Sequence, residues 1–212
     1  MRSLRRWLRR HALESSRRWV ITHGARSSRD LFLTFDDGPD PDNTPAVLGV
    51  LARHAVKATF FMVGRELALH PETGRMVADG GHELGNHTVS HLYMSRLSNR
   101  ARALEIDAMH AQLRAIDGRE QRLFRPPYGA VSAGLVWFCI RRGHRIALWS
   151  RDSLDFRSSV AEVVGDFAQT PVSAGDVLLF HDDSRAAAGA LQELIPMWLA
   201  QGYRFRTLGD MR

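Results

Sequence analysis

From residue 31 onward, short apolar runs alternate with stretches of helical periodicity, and this alternation constrains the fold most strongly. The runs at 31–35, 58–63, 82–86, 123–124, 144–149, 176–180 and 203–208 are each short enough to be buried strands. Helical segments lie between them. Thr44 can cap a helix with Pro45 at its first position, and Pro71 opens another that Gly80-Gly81 stops. Ser98 caps a third helix, in which Ala101, Leu104, Ala108, Ala111 and Ala115 make an apolar stripe, and Gly118 ends it. Helices over 132–142 and 160–169 follow, and Leu191, Leu194, Ile195, Trp198 and Leu199 give the last an apolar face. Strand and helix in alternation, with short loops, predict an α/β fold of about seven parallel strands. The alternation suits an open sheet and a closed barrel equally well.

The 212 residues are 44% hydrophobic, enough for one domain with a sizeable core. Cys139 is the only cysteine, so one chain can form neither a disulfide nor a cysteine-based zinc site. The net charge of +6 is unevenly placed. Residues 1–30 hold nine arginines against Glu14 and Asp30, while the remainder has 20 basic and 21 acidic residues. The sequence therefore divides into a basic arm, 1–30, and a nearly neutral domain, 31–212, on which no nucleic-acid surface is expected. Arginines interrupt the arm too often for a secretory signal, and no apolar run approaches the roughly 18 residues of a membrane span. Leu4, Trp7, Leu8, His11 and Ala12 share one helical face among Arg5, Arg6, Arg9 and Arg10. Such a face can rest on an anionic membrane; a solvated arm is the alternative. The expected location is the cytoplasm, with the arm as a peripheral contact at the inner membrane surface.

The first strand runs into Thr34-Phe35-Asp36-Asp37-Gly38-Pro39. Gly38 and Pro39 break the strand, so two neighbouring carboxylates stand where strand becomes loop. This is good turn chemistry. It also suits a site in which one acid binds a cation and the other moves protons. Polar residues gather after other strands too: His87 and His91, Arg125 and Tyr128, Asp152 and Asp155, and His181. In parallel α/β folds those strand ends form one face, where ligands bind. His87 and His91 would face the same way on one helical turn, and with an acid they form a two-histidine, one-carboxylate metal site. Period-two alternation places Leu179 on the same face as His181.

Five motifs in order (34–39, 87–91, 125–129, 152–156 and 178–181) resemble those of the NodB-type polysaccharide deacetylases, carbohydrate esterase family 4. The resemblance spans residues 31 to about 208. It implies a distorted (β/α) barrel, related to the TIM barrel. It implies a metal-dependent hydrolase that removes N-acetyl groups from N-acetylglucosamine-containing oligo- or polysaccharide, such as chito-oligosaccharides or biosynthetic sugar intermediates. By the same resemblance Asp37, His87 and His91 hold a divalent metal, usually zinc. Asp36 is the general base that activates water, and Arg125 orients it. The Tyr128 N–H helps hold the oxyanion. His181 is the acid that protonates the leaving amine, Asp155 orients it, and Leu179 lines the pocket for the acetyl methyl. The fourth motif departs from the family in carrying Phe156 where Trp is usual, which removes an indole donor from the substrate rim. The competing expectations are a deacetylase or deformylase of lipid-linked sugars at a membrane surface, and a non-catalytic carbohydrate-binding relative.

Overall fold

The structure, a computed structural model, describes residues 19–211. The basic amphipathic face around Leu4, Trp7 and Leu8 lies outside the described residues. The strands are β1 (Val20–Ile21), β2 (Asp30–Asp36), β3 (Thr59–Met62), β4 (Glu83–Asn86), β5 (Leu123–Phe124), β6 (Arg145–Ala147), β7 (Arg151–Asp152), β8 (Val177–His181) and β9 (Arg204–Arg206). All pair in parallel, in the order β1-β6-β5-β4-β3-β2-β8-β7, with β9 beside the start of β2. Val20–Ile21, inside the stretch read from sequence as the basic arm, thus belong to the sheet.

Strand order also decides between open sheet and barrel. β6 and β7 are consecutive in the chain yet lie near opposite ends of the order. The link between them, 148–150, can span only about 14 Å. The sheet must therefore curl until its ends approach. Hydrogen bonds along the link show the closure: Leu148 N–H donates to the Ile21 carbonyl at 2.7 Å and Ser150 N–H to the Val177 carbonyl at 3.0 Å. The result is a distorted (β/α) barrel.

Among the described residues, seven helices surround it: α1 (Asn43–Arg53), α2 (Gly64–Leu69), α3 (Pro71–Asp79), α4 (Asn99–Asp117), α5 (Ala133–Arg141), α6 (Val160–Gln169) and α7 (Ala187–Ala200). Strand alternation sorts the core into layers. Leu31, Leu33 and Phe35 of β2, Phe60 and Met62 of β3, and Leu178 and Phe180 of β8 join one cluster with Leu51, Val77, Phe167, Leu194 and Trp198 of the helices. The opposite set, Phe32, Phe61 and Val177, joins Ile21, Leu123, Ala147 and Leu208 in a smaller cluster inside the barrel. Each such large side chain contributes about 1.5–3 kcal/mol through burial. Along β2 the inward set continues from Phe32 to Thr34 and Asp36, so the barrel interior turns polar toward the strand ends.

Two sequence expectations change. Thr44 is not a cap: α1 starts at Asn43, and the Thr44 hydroxyl, fully buried, donates to Asp182. The Asp40 carboxylate instead takes the Asp42 and Asn43 N–H groups at 3.0 and 2.7 Å. The alanine stripe of α4 faces outward, with Leu104 65% exposed, while Arg102, Ile106, Met109 and Leu113 are buried. Both faces have helical spacing, and the one with larger apolar side chains removes more area from water. Ser98 does cap this helix, accepting from Ala101 N–H, and Gly118 closes it at φ 72°.

Candidate active site

Because every strand pair is parallel, all the C-terminal strand ends share one rim of the barrel. β2 delivers Asp36 and Asp37 there, β4 leads to His87, β5 to Arg125, and β8 ends at His181. Asp37 (φ 76°), Thr88 (φ 70°), His91 (φ 54°) and Tyr128 (φ 62°) occupy the left-handed region, which disfavours side chains. Each such residue stores about 1–3 kcal/mol, and the surroundings must hold it in place.

His87 and His91 are not on a helical turn; residues 87–91 form a loop. Polar clamps shape it. Asn86 Oδ1 accepts from Thr88 N–H at 2.8 Å, Thr88 Oγ1 accepts from His91 N–H at 3.0 Å, and Glu105 of α4 accepts from Val89 and Ser90 at 3.0 and 2.8 Å. Both imidazoles then converge on Asp37, with His91 Nε2 3.0 Å and His87 Nε2 3.4 Å from Oδ1. The ligand atoms of Asp37, His87 and His91 lie within 4.8 Å of one another.

These residues fit a divalent metal. His87 Nδ1 lies 2.8 Å from the Arg125 carbonyl, which places the ring proton there and leaves the Nε2 lone pair facing Asp37. Asp37 Oδ1 is buried and has no hydrogen-bond partner. Lone pairs that converge on a buried carboxylate oxygen need a cation or a proton between them. Burial acts against ionisation of both Asp37 and His87, but their mutual attraction outweighs it, lowering the Asp37 carboxyl pKa and raising that of the His87 imidazole.

Asp36 has a different environment from its neighbour. It is 4% exposed, and the fully buried Arg125 guanidinium donates to its Oδ1 at 2.7 Å. Burial lowers the Arg125 pKa, and the Asp36 charge partly restores it. Arg125 is itself fixed by donation to Thr34 Oγ1 at 2.9 Å and to the Ala147 and Leu148 carbonyls at 3.2 and 3.0 Å. The other Asp36 oxygen, Oδ2, turns toward the triad, 3.7 Å from His87 Nε2.

His181 stands across from Asp36. Its Nδ1 is 2.9 Å from Asp155 Oδ1, its backbone N–H donates to Asp155 Oδ2 at 3.0 Å, and the Ser153 hydroxyl holds Oδ1 at 2.8 Å. Burial would lower the imidazole pKa; the Asp155 hydrogen bond and the charges of Asp36, Asp155 and Asp37 win and raise it to about 9. Leu179 is buried on the His181 side of β8 and belongs to neither barrel cluster. Tyr128 is 55% exposed, its ring 4.6 Å from His91 and stacked on Tyr93 at 4.0 Å. Phe156, 57% exposed, meets His181 edge-on at 5.1 Å. Asp36, Asp37, His87, His91, Arg125, Tyr128, Asp155, Phe156, Leu179 and His181 are thus together on this rim. A separate cavity of about 500 Å³ near Glu83, Arg122 and Arg145 opens at the other end of the barrel, where β4–β6 begin.

Comparison with known proteins agrees with this geometry. Residues 23–146 match the family described as polysaccharide deacetylase. The chain belongs to the polysaccharide deacetylase family. A peptidoglycan-N-acetylglucosamine deacetylase of Bacillus cereus is 35% identical, over 84% of this chain and 86% of that protein. A chitooligosaccharide deacetylase of Azorhizobium caulinodans is 33% identical, over 86% and 84%. The crystal structure of the Bc1960 peptidoglycan N-acetylglucosamine deacetylase, in complex with 4-naphthalen-1-yl-N-oxidanyl-benzamide, superposes with a TM-score of 0.88 at 29% identity, covering 92% of this chain and 94% of that one.

Several residues of this site escaped the sequence reading. Thr34 shares the Asp36 face of β2 by period two, and that signal could have found it. Trp149 packs near Arg125, 5.6 Å from guanidinium to ring, and a Cβ at Gly129 would lie 2.7 Å from it. Only the β6–β7 crossing brings Trp149 there. Asp182 was visible beside His181, but its burial between two loops was not.

Proposed function

We propose that this deacetylase removes N-acetyl groups from N-acetylglucosamine-containing oligo- or polysaccharide, using a divalent metal held by Asp37, His87 and His91. Zinc suits two imidazoles and one carboxylate. The observation that carries the reading is the divided Asp36 carboxylate: one oxygen is engaged by Arg125, and the other faces the triad. The names of the relatives support the substrate class, since they specify N-acetylglucosamine in peptidoglycan and chito-oligosaccharide.

When bound, a divalent metal polarises a carbonyl and lowers the pKa of water. Asp36 Oδ2 accepts the proton of the attacking water while Arg125 keeps the other oxygen fixed. The Tyr128 N–H, presented from a turn closed by Gly129 and Ala130 N–H donation to Pro126 and Pro127, steadies the developing oxyanion. His181 enters as imidazolium and gives its Nε2 proton to the departing nitrogen, since Nδ1 is engaged by Asp155. The amide C–N bond breaks, leaving acetate and a free sugar amine. Leu179 borders the methyl group. Phe156 and the Tyr93–Tyr128 pair offer apolar faces to sugar rings on either side.

The test is mass spectrometry on N-acetylglucosamine oligomers, peptidoglycan fragments and lipid-linked sugars, with purified protein loaded with zinc or stripped by chelator. Zinc-dependent loss of acetyl from at least one oligomer is expected. No acetyl loss from any substrate, or equal loss after stripping, would contradict the proposal.

A further inference from the structure

Asp182 is a 1% exposed carboxylate that the proposed chemistry does not use. Burying a carboxylate costs more than burying an apolar side chain of that size, so core packing does not account for it. Its contacts do. Gly38 N–H donates to Oδ1 at 3.2 Å, and the Thr44 hydroxyl donates to Oδ2. That hydroxyl in turn accepts from Asp40 N–H at 2.8 Å. The Asp182 backbone N–H donates to the Asp36 carbonyl at 3.3 Å. Asp182 therefore grips the chain on both sides of Asp37, through the carbonyl before it and the N–H after it. Between those two points Asp37 holds φ 76°, a conformation that needs an external restraint. On its other side the Gly38 carbonyl accepts from Val63 N–H at 2.9 Å. The approach is close: a Cβ at Gly38 would lie 2.0 Å from Asp182 Oδ2.

We infer that Asp182 is a positioning residue that holds Asp37 in its ligating conformation and fastens the ligand loop to the strand carrying His181. This rests on the reading of Asp37 as a metal ligand. Partners behind a ligand typically matter about 10- to 100-fold in metal affinity.

Zinc affinity by chelator competition, thermal unfolding without metal, and the visible spectrum of the cobalt(II) form test the inference on wild type, Asp182→Ala, Asp182→Asn and Thr44→Val. Asp182→Ala is expected to bind zinc about 10- to 100-fold more weakly, with an altered cobalt spectrum. Asp182→Asn keeps an oxygen opposite Gly38 N–H and is expected to restore both. Thr44→Val, which frees one side of the carboxylate, is expected to weaken binding. A folded Asp182→Ala protein with wild-type affinity and spectrum overturns the inference, even if its melting temperature has dropped. So does Asp182→Asn binding as weakly as Asp182→Ala. If the alanine variant does not fold, Asn and Val decide: retained affinity in the first with loss in the second supports the latch, and any other pattern overturns it. Wild-type protein that takes up no zinc overturns the ligand reading itself and the latch with it.

Discussion

Asp36 and His181 are register partners on adjacent parallel strands, β2 and β8. One pairing therefore sets a carboxylate and an imidazole side by side at the strand ends, each held from behind by a different buried group. Arg125 holds the first and Asp155 the second. In the proposed mechanism Asp36 takes a proton from water and His181 gives one to the leaving nitrogen.

The neighbouring acids Asp36 and Asp37 should fail differently. Asp37→Asn is expected to lose zinc, because a neutral amide oxygen is a poorer ligand than a carboxylate. Asp36→Asn is expected to keep zinc and lose turnover by about 10²–10⁴-fold, because an amide cannot take the proton of water. Metal content and single-turnover rate of both variants check this. Zinc lost from Asp36→Asn and retained in Asp37→Asn would reverse the roles.

His181 should titrate at about 9 in the metal-free protein, above its ordinary value of 6.5. Asp155→Asn removes the hydrogen-bonded charge and is expected to move that titration to lower pH. The sign for stability follows. A raised folded-state pKa gives stabilisation that is complete below the ordinary value and is lost as pH rises through about 9. Imidazole NMR titration of both proteins reads the shift, and an unchanged midpoint in Asp155→Asn would remove Asp155 as its cause.

Arg125→Met should destabilise the protein by about 3–5 kcal/mol, since it strands the buried Asp36 carboxylate. Adding Asp36→Leu to it is expected to recover most of that loss, because no unpaired charge remains. Urea unfolding measures both. A single variant as stable as wild type would show that the pair is not held as tightly as its geometry indicates.

How much was legible in the sequence differs between fold and site. The strand–helix alternation, the cap at Ser98, and the polar residues after several strands were readable because they depend on local spacing. The resemblance of the five motifs assigned the site residues, and all of them lie on one rim. Local spacing could not distinguish sheet from barrel. That choice follows from β6 and β7 standing near opposite ends of one strand order, a non-local pairing. Nor could it assign Val20–Ile21 to the sheet, since two residues carry no periodicity and gain their place only by pairing with β6. The α4 stripe was misread because two faces of that helix share a period, and only the packing partner decides which is buried. His87 and His91 were paired by spacing as if helical; the loop brings them together instead, through the clamps of Asn86, Thr88 and Glu105. Sequence determined which chemical groups arrive at the strand ends. Tertiary structure decided which of them are buried and what each is paired with, because the Arg125–Asp36 and Gly38–Asp182 hydrogen bonds join residues far apart in the chain.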